Sequence, residues 1–386
     1  MIGINNSLNP AIIYNLSITS KNGETIDLSR SFTTIEIYED IFQKYLTGIL
    51  ALNDTNDFVK SLPIIGGERV LIAFSDNFEN SARFIDMVVD SVLPQMTVSD
   101  EMHKNPTVIL KLVCEDAIFS EQIRYSKHFE DSTTTIIQSI LSDIESKVDA
   151  IYPFLGNMMN FTSNFWTMNQ IIDYLCSQNE DLMFFQSSLG YRFNKLSYFL
   201  AQEPVQQFIN HTNFETRLSN LAVLKYTIDK YFNLQRLYEM KAFGQTVYQP
   251  SIENYSFQKD QKSLDEMFGD EIPLLGQNKV FNPLMSSSLN DVGAYYNDFD
   301  SDLKRNMMMQ TLHNYNVICQ MPGSVARKIG DIVVFNMPSS DNSLINHHFQ
   351  NRWLITQIKH TIQSNNNYMQ NVRLFKNAFF NNAKVG

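Results

Sequence analysis

The sequence predicts an α+β, mainly β fold: two similar antiparallel β-barrel domains in one chain, with an α/β domain between them and an irregular insertion. Three observations predict it. The stretch Ile65–Asp76, IGGERVLIAFSD, is echoed at Arg327–Pro338, RKIGDIVVFNMP, and the blocks after each copy also correspond. Arg83–Val92 and Val108–Phe119 follow the first copy, while Arg352–Ile362 and Met369–Phe380 follow the second. A turn glycine, an acid and an apolar run are common in any β protein, so the ordered set of three carries the inference. It pairs Gly67 with Gly330, Arg83–Phe84 with Arg352–Trp353, and Lys111–Leu112 with Arg373–Leu374. Superposing the two modules is expected to bring Arg83 onto Arg352. The second observation is period-two alternation at both ends of the chain, and the third is a helical period confined to its middle.

Taken in order, residues 12–52 read as strands. In Phe32–Tyr38 the side chains of Phe32, Thr34, Glu36 and Tyr38 point one way and those of Thr33, Ile35 and Ile37 the other. A strand over Ile49–Asn53 follows Gly48, and Arg69–Phe74 follows the Gly66–Gly67 pair. Two further strands, separated by a polar loop around Ser99–Pro106, complete a first barrel over residues 1–118. Asp131 and Ser132 cap a helix over Thr134–Val148 striped by Ile136, Ile137, Ile140, Leu141, Ile144 and Val148. Ser163 or Asn164 caps a second helix over Phe165–Gln178, and a hairpin turns at Ser187–Gly190. Residues 119–215 form this α/β domain.

The second barrel takes residues 216–243 and 311–380, entered through a helix around Ser301–His313 and a strand over Tyr315–Gln320. Between its two parts, Tyr248, Pro250, Pro273, Gly276 and Pro283 interrupt residues 244–310. That segment reads as an extended, aromatic-bearing arm or an irregular insertion. Residues 381–386 read as a loose tail.

Hydrophobic residues make up 44% of the 386 and charged ones 18%, which predicts packed domains. The 28 Phe and 17 Tyr suit β packing and extended contact surfaces. A formal net charge of −11 without a basic run opposes gripping nucleic acid by its phosphates. Cys114, Cys176 and Cys319 are far apart in apolar contexts and read as buried free thiols. No signal peptide and no apolar run of membrane-spanning length is visible.

The sequence shows no phosphate loop, no dinucleotide fingerprint, no HExxH and no GxSxG, so no catalytic residue, metal or cofactor is expected. His347–His348 is the one adjacent histidine pair and reads as loop. Glu115–Asp116 and Glu180–Asp181 are adjacent acids that could serve glycan hydrolysis, yet such pairs at element ends usually cap helices and turns.

The chain resembles the central baseplate hub protein of contractile-tailed, T-even-type phages, a family related to the hub portion of secretion-system spikes. The resemblance rests on SFTTIEIYEDIFQKYLTGILALND (Ser31–Asp54) and on Phe161–Pro204 with its closing Gln202, Glu203 and Pro204. Tyr315–Pro338 and Trp353–Phe379 extend it, while residues 244–310 have no counterpart. It implies a virion protein of the tail baseplate and a homotrimer, in which two like barrels per chain make a quasi-sixfold ring. Such a ring fits a threefold central spike to a sixfold tail tube or tube adaptor, contacts baseplate wedge proteins and leaves a channel for DNA. A separate spike protein is also implied. Under that reading the acidic Glu36, Glu39, Asp40 and Asp86 are candidates to face the channel and repel phosphates. The alternatives are the hub of a related contractile injection or secretion machine, a tail-tip glycan hydrolase, and a receptor-binding protein.

Overall fold

The computed structural model describes residues 10–53, 64–77, 81–95, 107–146, 150–151, 156–179, 181–210, 219–230, 235, 239, 244–251, 256–263, 286–289, 305, 308–310, 312, 315–337 and 351–377. The first strand set comprises β1 (Ile12–Thr19), β2 (Thr25–Asp27), β3 (Phe32–Asp40), β4 (Thr47–Asn53), β5 (Arg69–Ser75), β6 (Arg83–Gln95) and β7 (Thr107–Val113). After it come α1 (Glu115–Gln122), β8 (Arg124–Tyr125), β9 (His128–Ser132), α2 (Thr133–Asp143), β10 (Ala150–Ile151), β11 (Met158–Thr162) and β12 (Trp166–Thr167). The middle region ends with α3 (Met168–Ser177), β13 (Leu182–Ser187), β14 (Gly190–Lys195) and α4 (Leu196–Ala201). Then follow β15 (Gln206–Asn210), β16 (Ala222–Val223), β17 (Lys225–Lys230), β18 (Gly244–Ser251), β19 (Ser256–Ser263) and β20 (Ser286–Leu289). The last strands are β21 (Tyr315–Pro322), β22 (Ile332–Phe335), β23 (Arg352–Gln363) and β24 (Tyr368–Lys376).

Fourteen of these strands share one sheet, and within it two sets run in the same spatial order. The first set reads β3-β4-β7-β6-β5-β1-β2 and the second β17-β21-β24-β23-β22-β15-β16. The correspondence extends to single hydrogen bonds. Gly67 N–H donates to the Val89 carbonyl at 2.7 Å, and Val89 N–H returns to Glu68 at 2.9 Å; Gly330, Ile355 and Asp331 repeat the pair at 2.8 and 2.9 Å. Both glycines hold a left-handed backbone, φ +86° and +87°, which a side chain would strain. A bulge then falls between Val89 and Ser91 on β6 and between Ile355 and Gln357 on β23, and Leu112 and Leu374 occupy matching places on the neighbouring strand. Two pairings differ: β1 runs antiparallel to β5 and β2, whereas β15 runs parallel to β22 and β16.

The register corrects the expected overlay of Arg83 with Arg352. Leu71 and Val334, each four residues past its glycine, pair with Asp86 and Arg352, so Arg352 corresponds to Asp86. Trp353 then matches Met87, and both are fully buried. The longer connection before β23 displaces the arginine by three positions. A second correction concerns closure. Among the described residues neither set pairs back on itself, so the two closed barrels are replaced by one sheet. At roughly 3.3 Å per residue a strand as long as β23 spans about 40 Å, enough to serve both sets.

Three cores lie on this frame. One is built on the first strand set, one on the second with α4, and one within the middle region from α2, α3, β13 and β14. Phe32 shares the buried face with Ile35 and Ile37, contrary to strict alternation, because a register shift between Phe32 and Thr34 turns it inward. Helix α2 is capped by the Ser132 side chain on Thr135 N–H and stops at Asp143, short of Val148, as Glu145 turns to φ +52°. Helix α3 starts at Met168, later than expected, because Thr167 and Gln170 form a capping box while Phe165 is left-handed and Trp166–Thr167 pair with β8. Residues 244–310 are not wholly irregular. They carry the three-stranded sheet β19-β18-β20, and Pro250 sits within β18. The expected loop 99–106 and tail 381–386 lie outside the described residues. All three cysteines are buried and free, and burial pushes the Cys114 and Cys176 thiols up to about 11.

Candidate functional site

The seam between the two strand sets is the candidate assembly site. Beyond its bulge, β23 leaves β22 and pairs antiparallel with β3, from Gln357 opposite Asp40 to Gln363 opposite Thr34. Its core-facing positions Ile358, His360 and Ile362 meet Glu39, Ile37 and Ile35, so period two carries one histidine and one carboxylate inside. His360 Nε2 lies 3.2 Å from Glu39 Oε1, and its Nδ1 lies 2.8 Å from the Tyr368 hydroxyl. Gln370 donates to Ser324 O at 2.8 Å and to Tyr368 at 2.9 Å, and Arg327 donates to Gln370 and to Asn220 O. From the first set, Arg83 donates to Val325 O and Asp76 accepts from Val325 N–H at 2.7 Å. Every one of these side chains is buried.

Burial alone would push the Glu39 carboxyl up, but the His360 hydrogen bond and charge, with the charge of Arg83, hold it below the ordinary carboxylate range. Burial lowers Arg83, partly offset by Glu39, and lowers Arg327 to about 10. Such a network fixes register. A one-residue slip would turn His360 to solvent and leave Glu39 buried without its partner.

The opposite face of the seam is polar. Glu36 pairs with Lys359 at 2.7 Å, the Tyr38 hydroxyl donates to Glu36, and Asp40 accepts from Gln357 at 2.6 Å. Arg373 pairs with Asp229 at 3.3 Å. An open groove here is lined by Tyr38, Asp40, Gln357, Lys359, Asn371 and Arg373. Burial raises the Asp40 carboxyl, against the pull of Phe42 N–H, Gln357 and Arg373.

Of the four acids predicted to face a channel, Asp40 lines this groove and Glu36 lies on the same face of β3 beyond Tyr38, whereas Asp86 lies apart on β6, bonded to Arg69. Glu39 is corrected: as a core-facing strand position, 2% exposed, it presents no charge to any lumen. Reading the sequence missed His360 and its partners, although its place in the Ile358-His360-Ile362 phase signals a buried histidine. Asp116 is buried at the start of α1 and accepts from the Tyr191 hydroxyl at 2.8 Å, and Asp181 accepts from Ser197 N–H at 2.8 Å at the head of α4. Both act as structural acceptors; Glu180, the other member of the second pair, lies outside the described residues, as does His347–His348. Among the described residues no cluster of His, Cys, Asp and Glu suits a metal, and no helix is long and apolar enough to cross a membrane.

No family model and no curated protein sequence matches the chain. Solved structures do. The 43 kDa tail protein of prophage MuSo2 from Shewanella oneidensis superposes with a TM-score of 0.57 at 12% identity, covering 94% of this chain and 98% of that one. The fold is that of phage tail proteins. The tail protein of Neisseria meningitidis MC58 superposes at 0.54 with 8% identity over 95% of this chain and 97% of its own. This phage-tail fold also matches a chain of the Francisella PdpA-VgrG complex at 0.51 with 11% identity, covering 96% of this chain and 58% of that one.

Proposed function

We propose that the chain is the structural hub of a tail baseplate. Three copies would form a ring whose two strand sets per chain present six similar units to the tail tube and threefold symmetry to a central spike. The observation that carries this reading is the doubled strand order, matched to the hydrogen bond around Gly67 and Gly330, in a chain of which 94% is covered by a phage-tail fold. Wedge proteins would dock outside, DNA would pass through the centre, and the role is an assembly role with no turnover. The candidate lumen residues become Glu36 and Asp40, with Asp86 apart from them. Glu36 is balanced by Lys359 and, on β6, Asp86 by Arg69, while Asp40 is bonded to the neutral Gln357 and keeps its charge, so a wall built from this face would carry little positive charge to hold phosphate. The likeness to a chain of the PdpA-VgrG complex supports a second reading, the hub of a related injection or secretion machine.

Mass in solution, measured with and without the co-expressed spike protein, tests the ring. A trimer in either condition is the expected result; a monomer in both removes the reading.

A further inference from the structure

Two hairpins close on the same five-residue turn. Between β1 and β2, Ser20 N–H donates to Glu24 O at 2.8 Å and Gly23 N–H donates to Ser20 O at 3.0 Å. Between β23 and β24, Gln363 N–H donates to Asn367 O at 3.0 Å and Asn366 N–H donates to Gln363 O at 2.8 Å. The fourth residue is left-handed in both, Gly23 at φ +86° and Asn366 at φ +62°. A three-residue connection with a left-handed last member is a common hairpin closure. In each turn an exposed asparagine comes just before that residue, Asn22 in the first and Asn365 in the second. The pair is a matched comparison: same turn, same exposure, a different following residue.

Asn22–Gly23 is the one Asn–Gly step in the 386 residues. A backbone nitrogen can attack the side-chain carbonyl carbon of the asparagine before it, and the side chain of the attacking residue stands in the way. Gly23 has none, and a Cβ built there would meet nothing within 4 Å, so the turn is open to the rotation that the attack requires. Among the described residues the Asn22 side chain has no hydrogen-bond partner, whereas Asn365 Oδ1 accepts from Asn367 N–H at 3.0 Å. What restrains Gly23 N is its bond to Ser20 O, at the end of a ladder of only three pairs, from Ser17–Asp27 to Thr19–Thr25. A ladder this short opens locally at little cost.

We propose that Asn22 is a site of spontaneous modification, deamidation through a cyclic imide. Gly23 N bonds to Asn22 Cγ and gives up its proton, and the Asn22 amide nitrogen leaves as ammonia. Water then opens the ring at either carbonyl, and nothing is oxidised or reduced. One product is aspartate at position 22 on the ordinary backbone. The other is isoaspartate, whose backbone runs through the former side chain and is longer by a carbon. Both add a negative charge next to Lys21, whose ammonium lies 3.3 Å from the place a Gly67 side chain would take, so the altered turn lies against the Gly66–Gly67 turn. The isoaspartate form also lengthens the turn that sets the β1–β2 register. The change falls on the first strand set, because the matched turn of the second has Asn366 where the first has Gly23.

The test is a timed incubation of the folded, full-length protein at mildly alkaline pH, followed by peptide mapping that separates asparagine, aspartate and isoaspartate at positions 22 and 365. Conversion at Asn22 is expected to run more than about tenfold faster than at Asn365, a difference of about 1.4 kcal/mol in barrier, with both products present. Gly23→Ala should slow conversion at Asn22 by about tenfold or more. Because that variant forces a side chain into a left-handed backbone, Asn366→Gly serves as the reciprocal one: glycine accepts φ +62° without strain, and conversion at Asn365 should rise toward the Asn22 rate. Equal rates at Asn22 and Asn365 in the parent, or no conversion at Asn22, overturn the proposal. Aspartate without isoaspartate overturns it too, since direct hydrolysis of the amide gives aspartate alone.

Discussion

The two strand sets share their order, their glycine turn and their bulge, yet they end differently. In the second set the long strand β23 finds β3 and buries His360 against Glu39. In the first, the matching half of β6 pairs with β7 on one side and finds no strand on the other among the described residues, and Pro94 stands where His360 would. The same four-strand unit is thus a finished interface at one end and an unfinished one at the other. What differs is the neighbour and not the unit, which is how a duplicated module comes to hold its own chain together and offer an edge to another.

Breaking the finished seam has the largest expected effect. Glu39→Ala leaves His360, 1% exposed, without its carboxylate, and a loss of about 3 to 5 kcal/mol is expected in denaturant unfolding. Glu36→Ala, on the solvent side of the same strand pair, should cost about 0.2 to 1 kcal/mol, since its pair with Lys359 is partly screened. Equal losses would show that the buried network does not set the register. The sign of the acid response follows from Glu39, whose folded-state carboxyl is held below its usual value near 4.5. Its stabilisation is full above that value and is lost as the pH falls through the folded value, so Glu39→Gln should flatten the acid limb of a stability profile.

A smaller effect separates the two glycine turns. Both Gly67→Ala and Gly330→Ala force a side chain into a left-handed backbone, at about 1 to 2 kcal/mol each. At Gly67 the new methyl meets the flexible Lys21 side chain at 3.1 Å, but at Gly330 it meets the Phe199 ring at 3.1 Å in the core, so the second substitution should lower the melting temperature more. Equal shifts would mean that the core around α4 yields freely.

The mildest test is a slope. Burial lowers Lys376 from 10.5 to about 8, with its ammonium 5.5 Å from the Trp353 ring centre. Between those values the unfolded chain holds a proton that the folded chain lacks, so stability from this group rises with pH, by at most about 1.4 kcal/mol per unit. Lys376→Met should therefore exceed the parent most near neutral pH, and its advantage in unfolding midpoint should shrink by about pH 9.5. A constant difference would place the lysine ammonium in water.

Much of the fold was legible because local chemistry repeats it. The apolar run after Gly67 and Gly330, the stripe from Ile136 to Leu141 and the hairpin at Ser187–Gly190 each depend on neighbours within a few residues. The start of α3 was misread because Thr167 and Gln170 form a better cap than Ser163 or Asn164. The overlay of Arg83 on Arg352 misled because the like residues stand three places apart in register. Glu39 looked like a surface acid for a similar reason, since nothing near it in sequence announces His360, which lies 321 residues away.

By itself, then, the sequence determined that one β module is used twice, because turn glycines, bulges and period-two burial are local demands written the same way in both copies. Only the tertiary structure decided that the copies join edge to edge through β23 and β3, with one edge of each outer strand left open. Strand pairing is made by backbone groups that every residue carries, so the choice of partner is set by which edges meet once both halves have folded.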